Sequence, residues 1–256
     1  WSSDVCSSDL IPTLLYKSVG LVKGVGFNSW RRVDTVLPAI KVYNMREVDE
    51  LILLDIEATN EKRDPDYDEI RDFSRECFVP FCVGGGICNI EQIRQLLRAG
   101  ADKVAINTAA YNDIALITEG ADLFGSQCIV ASIDCRNIDG EYHCFSNDGT
   151  VDTGYMVEEW AKKVVDAGAG EILLTSVERD GTMQGYDIEL IRRVTSCVSV
   201  PVIASGGAGN YEHMREAVMD GGASAVAAAS IYHFTEQTPR EAKEYLQEHG
   251  VAVRLM

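Results

Sequence analysis

The chain repeats itself at a spacing of about 120 residues. "VPFCVGGGI" starts at Val79 and "VPVIASGGAG" at Val200, 121 residues apart. "LLDIEAT" from Leu53 is matched by "LLTSVERDGT" from Leu173, 120 residues on. "GADKVAINTAA" from Gly100 is echoed by "GASAVAAASIY" from Gly222, 122 residues on. Three segments in one order at nearly one spacing imply two similar halves packed about a pseudo-twofold axis. Few folds accept such a halving.

The local pattern narrows the choice. Short aliphatic or β-branched runs fall at Ile11–Leu15, Glu50–Asp55, Phe81–Val83, Lys103–Asn107, Cys128–Asp134, Glu171–Thr175, Val202–Ala204 and Ala225–Ala229. Between them lie stretches of helical period, among them Glu91–Ala99, Val157–Ala167 and Tyr211–Met219. Eight strand-then-helix units made of two fourfold halves predict an α/β fold, a (β/α)8 TIM barrel. With no Pro- or Ser-rich linker in sight, residues 10–256 are expected to form one domain. The opening "WSSDVCSSDL" has neither the basic start nor the apolar run of a signal peptide. Residues 1–9 read as a translated adapter sequence, so the native N-terminus is expected to be missing.

Composition excludes several classes. A net charge of −17 repels nucleic acid. No apolar run approaches the ~20 residues that cross a bilayer. Eight cysteines without a CxxC pair suggest small buried thiols in a reducing cytoplasm, with no disulfide framework and no metal site. Neither metal nor cofactor is called for.

In such barrels the chemistry sits at the C-terminal ends of the strands. There the sequence places Gly84-Gly85-Gly86, Asn107-Thr108, Asp180-Gly181-Thr182, Gly206-Gly207 and Ala229-Ser230. Glycines let backbone N–H groups approach an anion closely, and a short helix after the last strand adds a positive dipole end. The repeat pairs Gly86 with Gly207 and Thr108 with Ser230. Two phosphate cradles on opposite sides of one mouth are therefore expected, suited to a phosphorylated small molecule.

"FVPFCVGGGI", "GADKVAINTAA", "FGSQCIVASIDCR", "GAGEILLTSVERDGTMQGYD", "VPVIASGGAG" and "EYLQEHGVAVR" together resemble the cyclase subunit of imidazole glycerol phosphate synthase, the HisF family. The likeness runs from about residue 11 to 254. It implies a heterodimer with a glutaminase of the HisH type. The ammonia that this partner releases would traverse the barrel to a formimino ribonucleotide held by both phosphates, and lyase and cyclisation steps would follow. It places the ligand contacts on Gly85, Gly86, Asn107, Thr108, Asp180, Gly181, Gly206, Gly207, Ala229 and Ser230, and a catalytic carboxylate on Asp134. It places a charged ammonia gate on Glu50, Lys103 and Glu171, with a fourth gate position, arginine in the family, on Asp9. Strand parity is consistent with this gate. Lys103 and Asn107, and likewise Glu171 and Thr175, are four apart and so share a strand face.

One departure stands out. The family pattern Ile-Pro-Cys-Leu-Asp-Val, with its second catalytic aspartate, here reads Ile-Pro-Thr-Leu-Leu-Tyr, which puts Leu15 at the aspartate's place. Two carboxylates can divide acid and base roles, whereas one carboxylate and a leucine cannot. "GLVKG" at Gly20–Gly24 and "LDIEAT" from Leu54 are similar to a HisF-like branch associated with amidation of surface-polysaccharide sugars. The sequence reading therefore favours a barrel that passes ammonia to a separate sugar amidotransferase. The histidine-pathway cyclase is the alternative.

Overall fold

A computed structural model describes residues 7–18 and 20–255. It contains twelve strands: β1 (Asp9–Lys17), β2 (Gly20–Val25), β3 (Asn28–Asp34), β4 (Leu51–Asp55), β5 (Phe81–Gly84), β6 (Lys103–Ile106), β7 (Ile129–Ile138), β8 (Glu141–Ser146), β9 (Val151–Met156), β10 (Glu171–Ser176), β11 (Val202–Ser205) and β12 (Ala225–Ala228). Eight of them pair in parallel in the order β1-β4-β5-β6-β7-β10-β11-β12, and β12 returns to β1, so the sheet closes on itself. The fold is the (β/α)8 barrel expected from the repeat.

Two apolar layers hold it. Ile11, Ile52, Cys82, Ala105, Val130, Leu173, Ile203, Ala225 and Ala227 fill the bore. A larger core lies between strands and helices, with Leu10, Leu53, Val83, Val104, Ile133, Leu174 and Val226 meeting Ile40, Ile93, Leu96, Trp160, Ile191 and Met214. Alternate strand residues feed the two layers, as the two-residue period of a strand requires.

The duplication extends to the helix caps. Tyr67–Glu76 is capped by Asp66, whose side chain accepts from the Glu69 N–H. Its counterpart Ile188–Thr195 is capped by Asp187, which accepts from the Leu190 N–H. Ile90–Ala99 and Tyr211–Met219 are capped in the same way by Asn89 and Asn210. Each cap contributes about 1 kcal/mol by satisfying an N–H the helix cannot. Both pairs of caps are 121 residues apart.

Two features go beyond the sequence pattern, which marks no strand between Leu15 and Glu50 or between Asp134 and Glu171. In each half the first barrel strand runs past the rim and folds back as a three-stranded hairpin, β1-β2-β3 and β7-β8-β9. The turns carry the reason: Gly26-Phe27 and Asp139-Gly140 both have positive φ at two successive residues, the backbone that matches the twist of a hairpin. At the N-terminal edge, Asp9 is the first residue of β1 and pairs with Ala225. Residues 1–6 of the suspected foreign segment lie outside the described residues. No described helix is long and apolar enough to cross a membrane.

Candidate functional site

All eleven residues expected to hold ligand or do chemistry line one cavity at the C-terminal ends of the strands. Gly85, Gly86, Asn107, Thr108, Asp134, Asp180, Gly181, Gly206, Gly207, Ala229 and Ser230 enclose a volume of about 450 Å³.

The glycines are needed where the backbone comes closest to itself. Gly85 has φ +109°, and a Cβ there would lie 2.1 Å from the Asp55 carbonyl oxygen. Gly206, its partner in the repeat, has φ +92°, and a Cβ there would lie 2.6 Å from the carbonyl oxygen of Ser176, the counterpart of Asp55. The two turns are thus built alike, on opposite halves. Asn107 and Ala229 match too: each has an uncommon backbone conformation, φ −117°, ψ −94° and φ −136°, ψ −65°, and each opens a five-residue helix, Thr108–Asn112 or Ser230–Phe234.

Asp134 is 9 % exposed and accepts a 2.8 Å hydrogen bond from the Asn107 amide. Burial pushes its carboxyl up to about 7, with the charges of Asp148 and Asp180 adding to the shift and Asn107 and Arg136 opposing it. Such a group holds and releases a proton near neutrality. Leu15 is 8 % exposed, pairs in register with Leu54 and lines the same cavity. Together with Phe27, Trp30 and Ile56 it makes one wall apolar. Asp55, which ends the neighbouring strand opposite Tyr16, is engaged by Arg63 at 2.8 Å and by the Glu57 and Ala58 N–H groups.

Two residues of this cavity escape the sequence reading because they sit on the hairpins. Lys23, on β2, is 3 % exposed, with its Nζ 3.5 Å from the Thr13 carbonyl oxygen. Burial pulls its ammonium down to about 8, opposed by the charge of Asp180. The Gly26 N–H donates to the Asp180 carbonyl at 2.9 Å, which docks this hairpin on the second cradle. Asp148 occupies the turn between β8 and β9 and lines the cavity. An Asn-Asp-Gly between two β-rich runs is a turn signal that could have located it.

Glu50, Lys103 and Glu171 do not reach this cavity. They meet at the opposite end of the barrel, where Lys103 Nζ lies 2.7 Å from Glu50 Oε2 and 2.7 Å from Glu171 Oε1. Lys103 and Glu171 open β6 and β10, and Glu50 immediately precedes β4. Burial pushes the Glu50 carboxyl up to about 7 although Lys103 opposes it, in keeping with a buried Oε1 that has no hydrogen-bond partner. Burial acts against the Lys103 ammonium as well, but Glu50 and Glu171 outweigh it and hold the lysine above its ordinary value. Asp9, the expected fourth member, has its carboxyl raised by burial and by the charge of Asp49, with Arg254 and Lys103 opposing. Between this cluster and the mouth runs the apolar bore.

The family model described as "Histidine biosynthesis protein" matches residues 10–238. The chain is 47% identical over 246 residues to the imidazole glycerol phosphate synthase subunit HisF of Chlorobaculum parvum, covering 96% of this chain and 98% of the relative. It is 47% identical to the protein of that name from Chloroherpeton thalassium and 46% identical to that from Chlorobaculum tepidum, with the same coverage.

Proposed function

The chain belongs to the family of histidine biosynthesis proteins, in its HisF group, and from that premise we propose that it works as the ammonia-receiving cyclase subunit of an imidazole glycerol phosphate synthase. The observation that carries this reading is the pairing of two sites on one axis. A charged cluster guards the bottom of the barrel, a cavity with two matched glycine turns forms its mouth, and an apolar bore joins them.

In this reading a glutaminase subunit docks at the Lys103 end and releases ammonia there. Neutral ammonia loses little on entering an apolar bore, whereas ammonium would be held back by the cost of burying its charge. At the mouth the two cradles grip a phosphorylated ribonucleotide by its ends, Gly86 and Thr108 at one side and Gly207 and Ser230 at the other. Fixing both ends places the reacting centre over Asp134, so much of the orientation cost is met on binding. Asp134 exchanges protons with the ligand during lyase and ring-closing steps, a task suited to a carboxyl poised near 7. The products would be imidazole glycerol phosphate and an aminoimidazole carboxamide ribotide. No metal or cofactor enters these steps.

Leu15 favours a second reading, which the sequence analysis preferred. The barrel would bind a phosphorylated ligand and deliver ammonia to a sugar amidotransferase without closing a ring itself. The names of the relatives support the cyclase reading over this one.

Ammonia-dependent turnover of the formimino ribonucleotide by the purified chain decides between them. Turnover supports the cyclase. Absence of turnover in the parent together with its appearance in Leu15→Asp supports the amidation reading, and failure of the chain to stimulate a HisH-type glutaminase removes both.

A further inference from the structure

Asp148 is an acid of the mouth that the assignments above leave without a task; the other, Asp64, is held by the Gln92 amide at 2.6 Å. Its turn is fixed on three sides. The Asn147 N–H donates to Thr108 Oγ1 at 3.0 Å, which ties the turn to the first cradle. Arg136 Nε donates to the Gly149 carbonyl at 3.1 Å. Gly149 lies against Phe27 of the other hairpin and against Val177. Within this frame Asp148 has φ +54°, the left-handed region that Asp and Asn tolerate better than other side chains. The Asn60 amide, from the first half, donates to Asp148 Oδ2. A side chain so held, in a cavity shared with Asp134, is a positioned group.

We propose that Asp148 is the second carboxylate of the reacting mouth, presented by the β8–β9 turn and working with Asp134 in the role that Leu15 cannot fill. This rests on the reading of the cavity as the place of ammonia-dependent chemistry. Other candidates are already engaged. Asp55 is gripped by Arg63 and by two backbone N–H groups, and Asp180 belongs to the cradle whose opposing charge is Lys23. Asp148 feels Lys17 and Asp55 as well as Asn60, and burial brings its carboxyl up to about 6. Asp134 feels Asp148, Asp180, Arg136 and Asn107. A buried and a half-buried carboxyl in one cavity that titrate in neighbouring ranges share protons rather than ionise independently. One takes a proton from the bound ligand and the other returns one, so the pair is reset with no net change.

The test uses Asp148→Asn in the full chain, because Asn keeps the left-handed turn, with Asp139→Asn in the exposed β7–β8 turn as control. Two readouts are taken: steady-state kinetics with ammonium and the formimino ribonucleotide, and the carboxyl carbon NMR titration of Asp134. Asp148→Asn should lower kcat about 100-fold with KM changed less than about threefold. It should also move the Asp134 midpoint to lower pH, because a negative neighbour is gone. A kcat within about threefold of the parent overturns the proposal. If the parent itself shows no turnover, the cyclase reading fails and the titration alone decides: a lowered Asp134 midpoint retains the pair, and an unmoved one ends it.

Discussion

The first half of the barrel, β1 to β6, starts its helices from Asp66 and Asn89 and turns its rim at Gly85. The second half, β7 to β12, does the same at Asp187, Asn210 and Gly206. At the strand ends the halves part. β7 presents Asp134, and β1 presents Leu15 at the equivalent place. The hairpins part as well: the first contributes Phe27 and Trp30 and the buried Lys23, and the second contributes Asp148. Parts that shape backbone are kept twice, because each half must close the same turn and cap the same helix to fold. Parts that would do chemistry are single, because one ligand meets both halves at once and needs each group only in one place.

The largest test of this division is to place asparagine at each half's first strand end. Asp134→Asn should cost about 10²–10⁴-fold in ammonia-dependent turnover, while Leu15→Asn should change it by less than tenfold; equal losses would break the comparison. Stability should divide the halves in the same way. Asp134 holds its proton more tightly folded than unfolded, so between about pH 4 and 7 the folded chain carries more protons and stability falls as pH rises. Asp134→Asn should therefore raise the free energy of unfolding at pH 8, by an amount on the order of 2–4 kcal/mol, and change it little at pH 4. Leu15→Asp puts another buried carboxyl in the same cavity and should steepen the fall, and a flat profile in the parent would remove the argument.

At the bottom end, Lys103→Met strands two carboxylates from different halves. The expected loss is about 2 kcal/mol, below the ~3–5 kcal/mol of a fully buried pair, because the Glu171 side chain keeps 20% exposure. Chemical denaturation at pH 7.5 reads it. Gly85→Ala and Gly206→Ala each force a left-handed alanine, about 1–2 kcal/mol for the backbone alone, and press a Cβ against a backbone carbonyl oxygen, so each should cost more than that and weaken inorganic phosphate binding. Losses that agree between the two would sharpen the symmetry, and a loss at one site alone would break it.

Much of this was legible without coordinates. Valine, isoleucine and alanine runs marked all eight barrel strands, because a strand buried on both faces must be apolar along its length. The rim glycines were legible because the repeat doubles them, and the charges that meet at the barrel bottom because the family resemblance points to them, with strand parity in agreement for Lys103 and Glu171. The hairpins were not. β2 and β3 mix Lys23, Asn28, Arg31 and Arg32 among their apolar residues, as strands with an exposed face do, and they read as loop. Lys23 and Asp148 were lost with them. The turn pairs Gly26-Phe27 and Asp139-Gly140 and the Asn-Asp-Gly turn were the available clues. Burial decides the pKa of Asp134, and no linear pattern reports that.

The matched glycine turns on facing halves have a consequence for selection among metabolites. In the proposed reading, a rim with one anion seat at each side would act as a gauge: only a molecule charged at both ends, and of the right span, would be pinned at two points. A shorter monophosphate would fasten by one end and swing, exposing its middle to the apolar Leu15 side as often as to the acid. Recognition by length needs no contact with the ligand's centre, which leaves that region of the wall free to change while the grip stays the same.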